Sequence, residues 1–133
     1  MEAPRIITPP PGPKSRELLE RRNRYVPPGV YLVLPIAVER AEGAVVRDLD
    51  GNTYIDFTSG IGVMNLGHCR AEIVDVICQQ ARRLIHSCIH VANYEPYIEL
   101  ARRLTEITPG DFEKRALLLN SGAEAVENAV KIV

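Results

Sequence analysis

The chain lacks the features that mark a membrane or secreted protein. None of its apolar runs approaches the ~20 residues that a membrane-spanning helix needs. Its N-terminus is rich in proline and charge, and it has no continuous apolar core that could form a secretory signal. Cysteine is scarce as well: Cys69, Cys78 and Cys88 are odd in number and widely spaced, which favours reduced thiols over a disulfide framework. These absences predict a cytoplasmic protein that does not enter a membrane.

A charge imbalance is also missing. Sixteen lysines and arginines oppose seventeen aspartates and glutamates, so the formal net charge is -1 at pH 7. This leaves no long-range field that would attract nucleic acid or an anionic membrane. Lysine is rare, and most of the basic residues are arginines in scattered pairs that are typical of a solvated helix face. We therefore expect no nucleic-acid partner.

The apolar content of 46% is ordinary for a soluble globular protein, and its pattern predicts mixed α and β structure. The arm "ITPPPGP" cannot form a helix because proline fixes φ and removes amide donors, so we expect it to lie extended on a surface. A short polar helix at 14–24 and a proline-containing loop follow. Short β-prone runs between 36 and 57 flank Asp50-Gly51, which predicts a hairpin with a type I′ turn. The three aspartates in or beside it are expected to serve the turn or the exposed face: Asp48, Asp50 and Asp56.

Downstream of the hairpin, a loop with three glycines precedes two amphipathic helices. The loop "TSGIGVMNLGHC" lets the backbone approach another group closely. The helices are predicted in "RAEIVDVICQQARRLI" and "EPYIELARRLTEI", where apolar residues recur on one face. Between them, His86, Cys88 and His90 alternate and could bind zinc from one face of a strand. A tetrahedral site needs a further ligand, which is missing nearby, so we expect no metal site.

The last stretch, "RALLLNSGAEAVENAVKIV", predicts a short buried strand, a turn and a helix. Ser121 followed three residues later by Glu124 is a capping-box pattern, which places a helix N-terminus at the turn. Such an end offers free N–H groups and partial positive charge, and Gly122 and Ala123 carry nothing bulky that would keep a phosphate or carboxylate away. The same pattern is also typical of a helix that is merely capped, so both interpretations stay open on these residues alone.

These residues resemble the phosphate-binding segment of the class III aminotransferases, which use pyridoxal 5'-phosphate (PLP). In addition, "VVRDLDGNTYIDFTSGIGVMNLGH" is similar to the family's N-terminal hairpin and the loop after it. The stretch "HVANYEPYIELARRLTEITPGDFEK" resembles the 4-aminobutyrate aminotransferase branch. The resemblance runs from about Pro35 to Val133, and several motifs occur in the family's order. It implies an α/β fold, the N-terminal part of a fold type I PLP-dependent transferase, in which a small-domain hairpin and helices precede the start of the large-domain parallel sheet.

The resemblance also implies a division of the chain and a set of site residues. Residues 1–35 would form an arm and short helix, 36–110 the N-terminal part of the small domain with linking helices, and 111–133 the truncated start of the PLP-binding large domain. In the family, the turn that matches "SGAEA" holds the cofactor phosphate through backbone amides. The residues assigned to the cofactor are Gly122 and Ala123, with Ser121 adjacent. Many members carry serine or threonine where Ala123 stands, so one hydroxyl contact would be lost here.

Two further positions are assigned to the substrate by the resemblance. Ile61, in "SGIGV", matches a residue that lines the substrate pocket in the 4-aminobutyrate branch. His90 stands where relatives often carry glutamine and is assigned to the same pocket. In a complete enzyme, the family implies a homodimer that moves an amino group from 4-aminobutyrate or a similar amine to a 2-oxo acid such as 2-oxoglutarate.

The catalytic residues of the family are not matched in this sequence. The reaction needs a lysine that forms the Schiff base and an acidic residue at the pyridinium nitrogen. None of Lys14, Lys114 and Lys131 matches the catalytic position. We therefore expect an N-terminal fragment without a catalytic residue, marginal or obligately assembled by itself. Two alternatives stay open: an amino-acid racemase or aminomutase of the same fold, and a non-catalytic truncated chain.

Overall fold

The structure is a computed structural model that describes residues 1–133. The chain forms two compact units, Met1–Ala81 and Arg82–Val133. Five helical segments and three strands make up the fold, so the predicted mixture of α and β structure is confirmed. None of the five helices has the length and apolar composition of a membrane-spanning segment. The division into an arm, a small domain and a large domain at 1–35, 36–110 and 111–133 stays a prediction.

The first unit is built on a small antiparallel sheet. Strands β1 (Val38–Glu42), β2 (Val45–Asp48) and β3 (Thr53–Ile55) lie in the order β1-β2-β3. Sequence neighbours pair in this sheet because short turns join them, as hairpin connections require. The predicted hairpin around Asp50-Gly51 is therefore present, with Val46 opposite Tyr54.

The turn of this hairpin differs from the predicted type I′. A type I′ turn needs positive φ at both central residues, but only Gly51, at φ 89°, has it here. The loop instead closes through the Gly51 N–H, which donates to the Asp48 carbonyl at 3.1 Å, and the Asp48 N–H, which donates to the Asn52 carbonyl at 3.0 Å. The Asp48 side chain makes this possible because it accepts from the N–H groups of Asp50 and Asn52 at 3.0 and 2.8 Å.

The sequence predicts turn or exposed-face roles for the three aspartates, and Asp48 and Asp56 both hold turn N–H groups while being largely shielded from water. Asp48 is fully buried, where its second carboxylate oxygen accepts from Asn52 Nδ2 and from the Tyr54 hydroxyl, each at 2.8 Å. Burial of the ring, followed by this bond to Asp48, raises the pKa of Tyr54. Asp56 likewise turns inward, as described below. A hairpin sequence cannot distinguish these cases because turn-forming and buried, hydrogen-bonded aspartates have the same local signature.

The N-terminal arm lies on the hairpin, as predicted. Arg5 and Thr53 exchange two backbone hydrogen bonds, each at 2.9 Å. The Asn52 side-chain oxygen accepts from the backbone N–H groups of Ile7 and Thr8 at 2.8 and 2.9 Å. Proline-rich backbone cannot supply its own hydrogen bonds, and here the hairpin supplies the partners.

Helix α1 (Pro13–Tyr25) follows the arm and includes the predicted polar helix. Its N-cap residue, Gly12, has no side chain, so the cap comes from Asp50 on the hairpin. Asp50 accepts from the backbone N–H groups of Lys14 and Ser15 at 2.8 and 2.9 Å and from the Ser15 hydroxyl at 2.5 Å. Gly12 allows this approach because a Cβ there would lie 2.3 Å from Asp50 Cγ. The cap therefore fixes the start of α1 on the sheet.

The remaining helices are α2 (Ser59–Gly62), α3 (Ala71–Arg83), α4 (Glu95–Ile107) and α5 (Gly122–Ile132). Helix α2 belongs to the first unit and α4 and α5 to the second, while the last two residues of α3 lie past the boundary at Ala81. Helices α3, α4 and α5 confirm the predicted helical patterns. The strand predicted at 117–119 is absent, and these residues have no regular structure. A strand is completed by hydrogen bonds to a neighbouring strand, and the three strands of this chain all belong to the hairpin sheet.

Candidate active site

The turn before α5 has the geometry that the capping-box pattern predicts. Ser121 is extended, with φ -145° and ψ 157°, and its hydroxyl oxygen accepts from the Glu124 N–H at 3.2 Å. Glu124 Oε2 in return accepts from the Asn120 N–H at 3.0 Å, one residue earlier than in the standard box. These two bonds fix where the helix begins.

The first two helical amides point away from the helix without a protein acceptor. The N–H groups of Gly122 and Ala123 precede the first intrahelical donor, Ala125, whose N–H reaches the Ser121 carbonyl at 3.0 Å. A Cβ at Gly122 would meet no atom within 4 Å, so the space beside these amides is open. Two free donors and the positive end of a helix dipole fit a phosphate group. The residues present therefore fit the phosphate of PLP.

Ile61 lies on an unusual turn. Ser59, Gly60, Ile61 and Gly62 have φ values of 47°, 62°, 62° and 76°, so α2 is a single left-handed turn. Left-handed backbone costs roughly 1–2 kcal/mol for each residue with a Cβ, and a β-branched residue there is an outlier. The two glycines reduce the strain, and the turn presents the Ile61 side chain, which is 95% exposed. Strain of this kind persists only where the surroundings fix it, and it is common at functional sites.

Asp56 fixes the start of this turn. One of its oxygens accepts from the Thr58 N–H, the Thr58 hydroxyl and the Ser59 N–H at 2.9, 2.7 and 2.9 Å. The other oxygen lies 2.7 Å from His68 Nε2. The hydrogen bond from His68, followed by those from Thr58 and Ser59, holds the pKa of the Asp56 carboxyl well below its usual range. The sequence does not reveal this pair by itself, although Asp56 and His68 bracket the glycine-containing loop.

The other candidate residues lie in the second unit. His90 is exposed in a turn closed by the Val91 and Ala92 N–H groups, which donate to the Cys88 carbonyl at 2.9 and 3.0 Å. The zinc alternative needs His86, Cys88 and His90 on a strand, and this turn is not one. No group of three or more His, Cys, Asp or Glu residues in the chain could hold a metal ion. His90 and Ser121–Ala123 thus belong to one unit and Ile61 to the other.

The lysines occupy ordinary surface positions. Lys131 pairs with Glu127 on α5 at 2.6 Å. Lys114 donates to the Gly110 carbonyl and lies 4.9 Å from the centre of the Phe112 ring. The backbone of Lys14 donates to Asp50 in the cap of α1. Each contact has a structural explanation, and none places a lysine beside the free amides of α5.

Comparison with solved structures identifies the class to which this arrangement belongs. The chain superposes on the taurine:2-oxoglutarate aminotransferase of Bifidobacterium kashiwanohense, determined in complex with PLP and glutamate, with a TM-score of 0.78 and 30% identity. The match covers 99% of this chain and 28% of that one. The fold is accordingly the N-terminal part of a fold type I PLP-dependent aminotransferase.

Residues 25–133 match the model of the aminotransferase class-III family, and the chain belongs to that family. It is 48% identical over 118 residues to the 5-aminovalerate aminotransferase DavT of Pseudomonas aeruginosa, which covers 89% of this chain. It is also 48% identical over 128 residues to the 4-aminobutyrate aminotransferase of Mycobacterium tuberculosis, which covers 96% of this chain. In both cases the matched region is 28% of the relative's length. The family and fold class implied by the resemblance are confirmed.

Proposed function

We propose that residues 1–133 form the N-terminal part of a PLP-dependent transaminase. The enzyme moves the amino group of 4-aminobutyrate, or of a similar amine such as 5-aminovalerate, to a 2-oxo acid such as 2-oxoglutarate. The observation that carries the proposal is the pair of free amides at Gly122 and Ala123, in a chain whose relatives are aminotransferases for these two donors. Membership of the family supports PLP as the cofactor.

In this proposal, α5 anchors the cofactor. The Gly122 and Ala123 N–H groups donate to the phosphate, and Ser121 holds the helix start in place through its bond to the Glu124 N–H. When bound, PLP supplies an electron sink for the charge that develops at the substrate carbon. These residues would hold the phosphate in place, because charge-assisted hydrogen bonds from backbone amides are strong and directional.

The substrate side is proposed to involve Ile61 and His90. The exposed Ile61 side chain offers an apolar contact to the methylene groups of an ω-amino acid. His90 is accessible to a polar group of the substrate. The lysine that attaches the cofactor and the acidic partner of the pyridinium ring are supplied from outside residues 1–133, since Lys14, Lys114 and Lys131 have the structural roles described above.

The proposed enzyme is a cytoplasmic homodimer with no nucleic-acid partner. The three cysteines are free and exposed, as is usual in a reducing compartment. Large apolar side chains are exposed on α3 and α5, including Ile77, Val126 and Val130, and they need a covering surface. The remainder of the enzyme and a second subunit supply it in this proposal.

A hybrid enzyme tests the cofactor site. It joins residues 1–133 to the segment that follows the matched region in the M. tuberculosis 4-aminobutyrate aminotransferase. Gly122→Pro removes one amide donor, yet proline is accepted at the first helical position and the extended Ser121 suits a following proline. We expect the affinity for PLP to fall about 10- to 100-fold, the effect of losing a hydrogen bond to a charged group.

Two controls make this result specific. Gly122→Ala keeps the amide and meets open space, so it should bind PLP like the unsubstituted hybrid enzyme. Pyridoxal without its phosphate should bind the proline and alanine variants equally well. Equal affinity of both variants for PLP would contradict the proposed phosphate contact. Racemisation of a single amino acid without consumption of 2-oxoglutarate would instead support the racemase alternative.

A further inference from the structure

Residues 56–68 form the loop that carries Ile61. Both ends of this loop are hydrogen-bonded to the turn between β1 and β2, at Gly43 and Ala44. At its start, the Asp56 N–H donates to the Ala44 carbonyl at 2.8 Å. At its end, His68 and Gly43 exchange two backbone hydrogen bonds of 2.8 and 2.9 Å. These bonds hold the two ends of the loop close together and place the Asp56 and His68 side chains next to each other.

The Asp56 and His68 side chains add a further hydrogen bond between the two ends of the loop. The Asp56 side chain is only 9% exposed and that of His68 20%, so other protein atoms cover most of both side chains. An ionised carboxylate only accepts hydrogen bonds, so His68 Nε2 is the donor. The same carboxylate holds Thr58 and Ser59, where the left-handed turn begins. One group therefore connects the end of the loop to the strained turn.

We propose that Asp56 and His68 are positioning residues that hold Ile61 against the amino donor. The inference rests on the proposed function, since it takes Ile61 as part of the donor site. Ser59 and Ile61 stay left-handed only while their surroundings hold them there. When the pair is broken, the turn relaxes to a less strained conformation and Ile61 moves. Misplacement of a contact by about 1 Å is enough to change substrate recognition strongly.

The hybrid enzyme tests this with two substitutions and a conservative partner. His68→Ala removes the donor, Asp56→Asn removes the charge, and His68→Gln keeps an N–H donor. We expect the KM for 4-aminobutyrate to rise about tenfold in the first two variants, with kcat changed less than about threefold, as for loss of binding rather than of chemistry. We also expect weaker discrimination between 4-aminobutyrate and 5-aminovalerate. His68→Gln should restore both values to within about threefold of the unsubstituted enzyme.

Asp50→Asn is the matched control, since Asp50 also holds two backbone amides and a hydroxyl, but in the cap of α1. It should lower thermal stability and leave donor discrimination unchanged. The inference is overturned if His68→Ala binds PLP and keeps the original KM and discrimination, or if Asp50→Asn alters discrimination equally. If Asp56→Asn fails to fold, the comparison of His68→Ala with His68→Gln tests the inference without it. An equal change of KM and discrimination in these two variants overturns the inference. An inactive unsubstituted hybrid enzyme would contradict the proposed function instead.

Discussion

At the scale of single residues, the same side-chain type serves three different ends in this chain. Asp48 is buried and organises the hairpin loop, Asp50 caps a helix from outside it, and Asp56 holds a left-handed turn. All three accept hydrogen bonds from backbone N–H groups, which is how a carboxylate fixes a loop. In the proposed cofactor site, Ala123 by contrast contributes only its backbone N–H, and that gives a residue-level prediction.

Ala123→Thr should strengthen PLP binding by the hybrid enzyme about fivefold. The substitution adds a hydroxyl donor beside the free amides, and one such hydrogen bond contributes about 1 kcal/mol. Fluorescence titration with PLP measures the effect, and the same titration with pyridoxal is the control. A gain of equal size with pyridoxal would show that the hydroxyl acts elsewhere than on the phosphate.

The elements of the fold differ in how far their sequences determine them. Helices α1, α3, α4 and α5 were predictable because their caps, apolar periodicity and flanking prolines are local signals. The strand predicted at 117–119 is absent, because a strand needs a partner that local sequence does not specify. The Asp50 cap joins residues 35 positions apart, and the Asp56–His68 pair is 12 apart. The sequence shows where these residues stand, but it does not show that they meet, because both contacts form only when the sheet folds.

Asp50→Ala should loosen the first turn of α1 without unfolding the sheet. The backbone N–H groups of Lys14 and Ser15 lose their acceptor, so their hydrogen exchange should become at least about fivefold faster, as after loss of a helix cap. Exchange in the hybrid enzyme, followed by NMR or mass spectrometry, measures it. Asp75→Ala, on the exposed surface of α3, is the matched control and should leave these amides unchanged. Unchanged exchange in Asp50→Ala would contradict the cap.

Helix α4 carries a pH-dependent group. Hydrogen bonds from Arg102 and Arg103 lower the pKa of Glu99 from 4.5 to about 2. Because the folded-state pKa is depressed, the stabilisation from ionised Glu99 is present above pH 4.5 and is lost as the pH falls through about 2.

NMR titration of the Glu99 carboxyl carbon in the 133-residue chain should give a midpoint near 2, and Arg102→Ala should raise it towards 4.5. The group is solvent-exposed, so 1 M salt should reduce the shift. A midpoint of 4.5 in the unsubstituted chain would contradict the Glu99 interaction.

At the scale of the whole molecule, the chain exposes far more surface than its mass predicts. Its accessible area is 11,064 Å², roughly 4,000 Å² above the value of about 7,000 Å² for a folded monomer of 14.8 kDa. Ala37 is the one buried apolar residue, while the other buried side chains are polar. The apolar faces that periodicity predicted are therefore present but uncovered.

The isolated 133-residue chain should consequently self-associate. Sedimentation velocity at micromolar concentration should detect oligomers, because exposed apolar patches of this extent promote association. Ile77→Glu, which places a charge on the uncovered face of α3, should reduce association, whereas Glu72→Gln on the same helix should not. A monomeric chain with a cooperative two-state melt would contradict this expectation.

The central claim is transfer of an amino group from donor to 2-oxo acid, and nitrogen tracing in the proposed full-length enzyme that contains residues 1–133 tests it most directly. The enzyme is supplied with PLP, ¹⁵N-labelled 4-aminobutyrate and unlabelled 2-oxoglutarate, and the products are followed by NMR. The proposed function predicts one ¹⁵N-glutamate for each 4-oxobutanoate formed. Label that stays in the amino donor, or that appears as ammonium without labelled glutamate, would contradict it.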